Sequence, residues 1–205
     1  MKKIICYGDS NTFGYNPKDS SRYSSDIRWT GLLSDKLGVE FCVVEEGCNN
    51  RTGFVPSADG LVQSGRDYLK TCLDKHKDAD VFILALGTND LQKFYEIDES
   101  TVVGSLSYIF SSVQESYSNI RIILLPPVVL DGEVLKHQFS YQFDESSISK
   151  SKWIQDVFKT FSDSQKCELL DINAYVKPSV LDGLHFSEDS HRVIAEKIAD
   201  LVLNS

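Results

Sequence analysis

The chain has 205 residues and a formal net charge of -9 at pH 7, with 41% hydrophobic and 25% charged residues. This length suits one globular domain over 1–205 and this composition excludes intrinsic disorder. No apolar stretch reaches the roughly 18 residues of a membrane span, and the acidic balance argues against nucleic acid, because phosphate binding needs a basic surface. We therefore expect no membrane and no nucleic-acid partner.

Short apolar runs alternate along the chain with segments of helical periodicity. The predicted strands cover 4–7, 41–44, 81–86, 120–125 and 169–172, and the predicted helices cover 29–37, 61–73, 101–117, 148–161 and about 188–203. The first three strand segments are continuously apolar, and the last two are interrupted only by Arg121 and Asp171. This pattern is typical of parallel strands buried on both faces. The β-α alternation therefore predicts an α/β fold, a three-layer α/β/α sandwich with right-handed crossovers.

Polar segments that contain glycine follow the first three predicted strands, at 8–11, 47–53 and 87–90. Because ligands of open parallel sheets bind at the carboxyl ends of the strands, we expect a functional site there. The longest irregular stretch, 126–146, is typical of a lid or contact surface, and equally of an exposed excursion with a short extra strand.

Three of these loops carry residues that could do chemistry. Ser10 follows the first strand, and a serine hydroxyl becomes a nucleophile when a base takes its proton. Asp182 precedes His185 by three residues, a spacing that can bring a carboxylate to an imidazole on a turn. The amide of Asn89 could stabilise a developing oxyanion. Taken singly, each is more typical of an ordinary turn, cap or surface residue.

Other reactive residue types show no functional pattern. His76 lies among lysine and aspartate residues and is predicted to be solvated, whereas His191 falls in the last helix. No metal motif, GxGxxG loop or P-loop occurs, so we expect no metal and no cofactor. Five cysteines without a CxxC pair, and a start too short for an export signal, predict free thiols and a cytoplasmic location.

Taken together, the segments resemble the SGNH hydrolases, also called the GDSL-type esterase/lipase family. The matching blocks, in the family's order, are Gly8-Asp9-Ser10, the loop after the second strand, Gly87-Thr88-Asn89-Asp90 and Asp182-x-x-His185. Residues 27–33, 45–47 and 51–52 resemble the branch of bacterial aryl esterases and acyltransferases. The resemblance implies a flavodoxin-like, five-stranded parallel sheet of order 2-1-3-4-5 and, as in some members of the branch, a homo-oligomer, from a dimer to an octamer.

The resemblance also implies a role for each matched residue. Ser10 would be the nucleophile, His185 the general base and then acid, and Asp182 the carboxylate that orients the imidazole. The Ser10 N–H, the Asn50 N–H and the Asn89 side chain would form the oxyanion hole. The family usually has glycine where this chain has Asn50, but asparagine tolerates the left-handed conformation better than most residues.

Six further residues are predicted to line the substrate pocket: Asn11, Tyr15, Asn49, Phe139, Phe143 and Leu184. Their polar members favour short or hydrophilic acyl groups. We therefore predict a serine esterase that hydrolyses small or short-chain esters, acetylated carbohydrate or aryl esters, through an acyl-serine intermediate. Two alternatives stay open: an acyltransferase that uses an acceptor other than water, and a catalytically silent binding protein on the same fold.

Overall fold

The computed structural model describes residues 1–57 and 60–204. Its strands are β1 (Lys2–Gly8), β2 (Phe41–Gly47), β3 (Val81–Ala85), β4 (Arg121–Leu124) and β5 (Glu168–Leu169). Its helices are α1 (Ser10–Phe13), α2 (Trp29–Leu37), α3 (Gly65–Lys75), α4 (Glu99–Ser116), α5 (Glu145–Gln165) and α6 (Glu188–Leu203). Every predicted strand and helix is present, and the short helix α1 is added. The helices α2 and α6 have the predicted bounds, whereas the other elements are shifted at one or both ends. No helix within the described residues is long and apolar enough to cross a bilayer.

The five strands form one parallel sheet in the order β2-β1-β3-β4-β5, which confirms the predicted topology. Along the chain, β2 is added on one side of β1 and β3 on the other, so the direction of winding reverses at β1. In register, Gly8 lies opposite Gly47 on one side and Ala85 on the other. The loops that follow these three strands therefore begin at the same edge of the sheet, where ligands of such folds bind.

Each face of the sheet is covered by helices, as predicted for a three-layer sandwich. Ile5 and Tyr7 of β1 belong to the core shared with α3, α4 and α5. Ile4 and Cys6 point the other way, into the core shared with α2 and α6. This two-sided burial explains why β1 reads as a continuous rather than an alternating apolar run.

Side-chain caps decide where two helices begin. The helical periodicity of the sequence misplaced the first residue of each. The Ser64 hydroxyl accepts the Asp67 N–H at 3.1 Å, so α3 starts at Gly65 rather than at 61. Asp144 and Ser147 form a capping box that starts α5 before the predicted 148. Caps satisfy the first N–H groups of a helix, which have no partner within the helix.

The stretch from 126 to 146 forms a single turn of 3₁₀ helix at Gly132–Leu135 and then irregular turns, without the extra strand considered from the sequence. Its three alternating aromatic residues separate by depth. Phe143 is buried in the core, Phe139 is half-buried and Tyr141 is exposed. The segment folds back toward the carboxyl ends of the strands, so its aromatic side chains reach the region of the candidate site.

The end of β2 lies against the helix that carries Ser10. A Cβ atom added to Gly47 would lie 2.2 Å from the backbone nitrogen of Phe13, which no side chain can tolerate. Glycine at this position therefore permits α1 to pack directly on the end of the neighbouring strand, and it brings the loops of β1 and β2 together.

Candidate active site

Ser10 is the first residue of α1, immediately beyond β1. Asp9 caps this helix, and its side chain accepts the Asn11 N–H at 2.9 Å. Gly14, with φ of 86°, ends the helix after one turn. The nucleophile predicted from the sequence is therefore held on a short, capped turn at the edge of the sheet.

Ser10 lies 172 or more positions before the other two residues of the predicted triad. In the fold, the three side chains form a continuous chain of hydrogen bonds. Ser10 Oγ lies 2.9 Å from His185 Nε2, and His185 Nδ1 lies 2.7 Å from Asp182 Oδ2. The other carboxylate oxygen of Asp182 accepts the backbone N–H groups of Leu184 and His185, each at 3.0 Å. This is the geometry in which an imidazole takes a proton from a serine while a carboxylate fixes its orientation.

Asp182 is suited to remain ionised although it is buried. Burial alone would raise its pKa, but the hydrogen bond and the charge interaction with His185, together with the two N–H donors, hold the pKa below the ordinary value. A carboxylate that stays charged can stabilise the imidazolium formed when His185 accepts a proton.

A glycine sets the turn between Asp182 and His185. Gly183 has φ of +66°, and a Cβ atom added there would lie 2.4 Å from the Val134 nitrogen. The Asp131 N–H donates to the Gly183 carbonyl at 3.1 Å. The left-handed turn therefore brings the carboxylate back to the imidazole three residues later, while the close approach of 131–134 supports it.

The two residues predicted to complete the oxyanion hole lie beside Ser10 and line the same cavity. Asn50 has φ of 61°, the left-handed conformation that asparagine tolerates and that the family's glycine would adopt easily. Asn89 Nδ2 donates to the Arg51 carbonyl at 3.1 Å, which ties the loop after β3 to the loop after β2. Three donors predicted from separate blocks are thus brought to one place.

Arg51 holds the loop after β2 from beneath, a role that the sequence reasoning missed. Its guanidinium packs against the rings of both Tyr7 and Tyr68, 5.0 and 4.8 Å from their centroids. It also donates to the carbonyls of Gly8 at 3.2 Å and Glu46 at 2.5 Å. The arginine therefore links the ends of β1 and β2 behind the predicted oxyanion donors, and no local sequence signal reveals the two rings that it contacts.

Asp90 anchors the same region from the side of β3. Its carboxylate accepts the N–H groups of Gly53, Phe54 and Val55 at 2.5, 2.8 and 3.1 Å. Burial raises its pKa to about 6, although the three N–H donors favour the charged form. Asp90, the last residue of the Gly-Thr-Asn-Asp block, therefore holds the loop after β2 in place by hydrogen bonds.

A cavity of about 170 Å³ opens beside Ser10 and His185. It is lined by five of the six residues predicted for the substrate pocket and by two that the sequence reasoning did not assign: Tyr15, Asn49, Phe139, Phe143 and Leu184, with Tyr141 and Gln142. The sixth, Asn11, does not line it. Its side chain instead bonds to the backbone of Leu184 and Phe186, so the expected contribution of Asn11 to the pocket wall is not what the structure forms.

Two aromatic rings contact the imidazole from the cavity side. The Tyr15 ring lies 4.2 Å from the His185 ring, centroid to centroid, and the Phe139 ring lies 5.2 Å from it. The Tyr15 hydroxyl donates to Ser20 Oγ at 2.8 Å, which holds the ring in place.

The other two histidines considered from the sequence are both largely buried. His76, predicted to be solvated, instead bonds through Nε2 to the Glu46 carboxylate, because the end of α3 packs against β2. His191 lies in the core, where its Nδ1 accepts the Trp29 N–H at 3.2 Å. Neither contact could be read from neighbouring residues in the chain.

Among the described residues, one group brings three possible metal ligands within 4.8 Å of one another: Glu46, Cys72 and His76. The Lys75 ammonium lies 3.0 Å from Glu46, so the carboxylate already has a cationic partner. Burial raises the pKa of the Cys72 thiol to about 12, which opposes formation of the thiolate that a metal would need. The group is best described as a buried ion-pair network behind the loop after β2.

The comparisons with known proteins agree with this geometry. Residues 6–193 match the model of the GDSL-like lipase/acylhydrolase family. No curated protein matches the chain. Among solved structures, the M. smegmatis aryl esterase superposes with a TM-score of 0.92 at 27% identity, covering 100% of this chain and 99% of that one.

Two further structures extend the comparison. Est24, a carbohydrate acetylesterase from Sinorhizobium meliloti, superposes with a TM-score of 0.89 at 25% identity, over 100% of this chain and 99% of that one. A lipase/acylhydrolase from Enterococcus faecalis has the same fold, with a TM-score of 0.70 at 21% identity over 100% and 96% of the two chains. Since the family model spans most of the sequence, the chain belongs to the GDSL-like lipase/acylhydrolase, or SGNH hydrolase, family and is a hydrolase that acts on esters.

Proposed function

We propose that the protein is a serine esterase that hydrolyses small, neutral esters through an acyl-serine intermediate. The observation that carries the proposal is the hydrogen-bonded chain from Ser10 through His185 to Asp182, with distances of 2.9 and 2.7 Å. This chain opens onto a cavity where an ester carbonyl can reach the serine hydroxyl. A binding protein would have no need of an imidazole held between a carboxylate and a serine.

The proposed reaction has two half-reactions. Ser10 Oγ attacks the ester carbonyl while His185 Nε2 takes its proton, and the resulting oxyanion is held by the Ser10 N–H, the Asn50 N–H and the Asn89 amide. The imidazolium then protonates the leaving alcohol, and an acyl-serine remains. Water, deprotonated by His185, attacks the acyl-serine, and the returning proton frees Ser10 and the carboxylic acid.

The size and chemistry of the cavity support small, uncharged substrates. At about 170 Å³ it lies below the range of roughly 300–1,000 Å³ that is usual for drug-sized ligands. Apart from the triad and the aliphatic Leu184, the described residues that line it offer neutral amides and aromatic rings: Asn49, Asn50, Asn89, Gln142, Tyr15, Phe139, Tyr141 and Phe143. Amides suit the hydroxyl groups of an acetylated carbohydrate, and rings suit a sugar face or an aryl group. Aryl and acetylated carbohydrate esters, the substrates named for two structural neighbours, are therefore the first candidates here.

The proposal is tested by comparing wild type with Ser10→Ala on p-nitrophenyl esters from acetate to long chains, beside acetylated sugars. We expect turnover of the acetate ester to be highest, to fall as the acyl chain outgrows the cavity, and to be lost in Ser10→Ala. A fluorophosphonate probe, which reacts with activated serines, is expected to label wild type and not the variant. Wild-type turnover in Ser10→Ala would refute the proposal, and failure of the wild type to react with the probe would instead favour a binding protein.

A further inference from the structure

Asn11 links the residue that carries the nucleophile to the loop that carries the base. Its Oδ1 accepts the Phe186 N–H at 3.0 Å, and its Nδ2 donates to the Leu184 carbonyl at 3.4 Å. These two peptide groups lie on either side of His185. Resting on the esterase function proposed above, we propose that Asn11 is a positioning residue whose carboxamide holds the His185 imidazole in hydrogen-bonding range of Ser10.

The anchor from which this carboxamide extends is itself rigid. Asn11 directly follows Ser10 in α1, and its own N–H donates to Asp9 Oδ1 at 2.9 Å. Its carbonyl accepts the Trp29 indole N–H at 3.1 Å, which ties α1 to the start of α2. The side chain is buried, so water does not compete for its bonds. A shift of the 184–186 segment would therefore have to break bonds to an immobile partner.

The segment that is held has no regular secondary structure of its own. Residues 177–187 form turns between the end of the sheet and α6. Within it, the Ser179 N–H donates to the His185 carbonyl at 2.6 Å and the Gly183 N–H donates to the Ser179 carbonyl at 2.7 Å, but these bonds only make the loop compact. The two bonds from Asn11 connect that compact loop to the helix of the nucleophile. They therefore set the distance between His185 and Ser10, which the bonds inside the loop do not.

Two substitutions test the donor and acceptor roles of the Asn11 carboxamide. Leucine has nearly the shape of asparagine but neither donates nor accepts, so Asn11→Leu removes both bonds. Aspartate keeps the acceptor for the Phe186 N–H, but it replaces the donor to Leu184 with an oxygen that faces a carbonyl oxygen. Asn11→Asp therefore removes one half of the link and leaves the other.

We expect Asn11→Leu to lower kcat for p-nitrophenyl acetate by on the order of 10²-fold, because misplacement of a reacting group by about 1 Å has an effect of that size. KM should change little, since Asn11 does not line the cavity. The rate of fluorophosphonate labelling should fall by the same factor as kcat, because that reaction also needs the Ser10–His185 contact. Asn11→Asp should also lower kcat, because its second carboxylate oxygen repels the Leu184 carbonyl to which the asparagine donates.

Asn173→Leu is the matched control. Asn173 also bridges segments through its carboxamide, with Oδ1 accepting the Val129 N–H at 2.7 Å and Nδ2 donating to the Gln155 side chain at 2.9 Å, but it lies outside the cavity. Both leucine variants lose a bridging amide, so a loss of kcat confined to position 11 separates positioning from general destabilisation. Thermal unfolding of each variant checks that the assayed protein is folded.

Two results would overturn the proposal: wild-type kcat in folded Asn11→Leu, or an equal loss of kcat in Asn173→Leu. If Asn11→Leu does not fold, Asn11→Asp decides, and wild-type kcat in that variant overturns the proposal as well. These outcomes are distinct from failure of the esterase function itself, which would appear as undiminished turnover in Ser10→Ala. Loss of activity in Ser10→Ala with wild-type activity in Asn11→Leu would leave the esterase intact and remove Asn11 from it.

Discussion

At the scale of single residues, the side-chain amide of Asn89 fixes two neighbouring groups by hydrogen bonds and is also a proposed oxyanion donor. Its nitrogen carries two N–H groups, and one donates to the Arg51 carbonyl at 3.1 Å. Its oxygen accepts the Gln92 side-chain N–H at 3.3 Å, so the amide is held on both ends. A donor that needs no reorganisation when charge develops is the kind that contributes most to catalysis.

Asn89→Ala is therefore expected to lower kcat by about 10²–10³-fold, the usual effect of removing one oxyanion donor, with a small change in KM. Steady-state kinetics on p-nitrophenyl acetate measures both constants. Asn49→Ala is the control, since Asn49 lines the same cavity without a role in the proposed oxyanion hole. Equal losses in the two variants would mean that Asn89 acts only as part of the pocket wall.

His191 is expected to make the folded state sensitive to acid. Burial, with smaller contributions from the charges of His185 and Arg28, lowers its pKa from 6.5 to about 3. Below pH 6.5 the unfolded chain takes up a proton at this residue while the folded chain does not, so stability falls as pH drops through this range. Between pH 6.5 and pH 5 the loss from this group is about 2 kcal/mol.

Urea unfolding of wild type and His191→Phe at pH 7.5 and pH 5 tests this expectation. Phenylalanine does not titrate, so the variant should lose less stability than wild type on acidification, although it is less stable at pH 7.5 because the Trp29 N–H has lost its acceptor. An identical pH dependence in the two proteins would show that His191 is not the group responsible.

At the scale of elements, the site depends on the ends of three neighbouring strands. The apolar runs and the β-α order predict these ends to within three residues, because a parallel sheet buried on both faces has a distinct pattern. The exact ends of α3 and α5 depend on the hydroxyl and carboxylate caps at Ser64 and Asp144, and periodicity alone does not reveal them. The loop after β2 depends still more on distant partners.

Arg51→Met should disrupt that loop and reduce catalysis. The substitution removes a cation that packs against two tyrosine rings and two bonds to the carbonyls of Gly8 and Glu46. Because Asn50 precedes Arg51 and Asn89 bonds to its carbonyl, both proposed oxyanion donors lose their support. We expect kcat to fall on the order of 10²-fold, comparable to the loss of one donor.

The control for this variant is Arg121→Met. Arg121 pairs with Glu168 at the amino end of β4, whereas the site lies at the carboxyl ends of the strands. Arg51→Lys adds a second comparison, since lysine keeps the charge but lacks the planar group that packs against the rings of Tyr7 and Tyr68. Hydrogen exchange of 48–55 should increase in Arg51→Met and stay unchanged in Arg121→Met. Unchanged exchange and kcat in Arg51→Met would contradict the proposed support.

At the scale of the whole molecule, the net charge of -9 is expected to influence which esters reach the site. A negative surface repels anions over about 10 Å at 0.1 M salt, and the effect weakens as salt increases. For a pair of esters of equal size, kcat/KM should be lower for the anionic member than for the neutral one at low salt. The difference should narrow as sodium chloride is raised from 10 to 500 mM. A salt-independent ratio would indicate that contacts in the pocket alone discriminate.

Several whole-molecule expectations stay predictions: one domain over 1–205, a cytoplasmic location, and a homo-oligomer between a dimer and an octamer. They concern the extent, location and assembly of the chain. The internal structure is predicted in two ways: the order of the strands through the family resemblance, and the buried segments through the apolar runs themselves.

The sequence pattern predicted the α/β architecture and the place of Ser10 and Asn89 directly after apolar runs. Such runs, alternating with helical segments, are typical of buried parallel strands, and polar residues directly after them gather at one edge of the sheet. Asp182 and His185 follow no strand directly, so their place at the site was predicted through the family resemblance. The direction of the Asn11 side chain, the packing of Arg51 against two tyrosine rings and the burial of His76 followed from the tertiary structure alone. Each depends on partners from other segments of the chain: Leu184 and Phe186 for Asn11, Tyr7 and Tyr68 for Arg51, and Glu46 for His76. A side chain's bonds to such partners exist only once the elements have packed together.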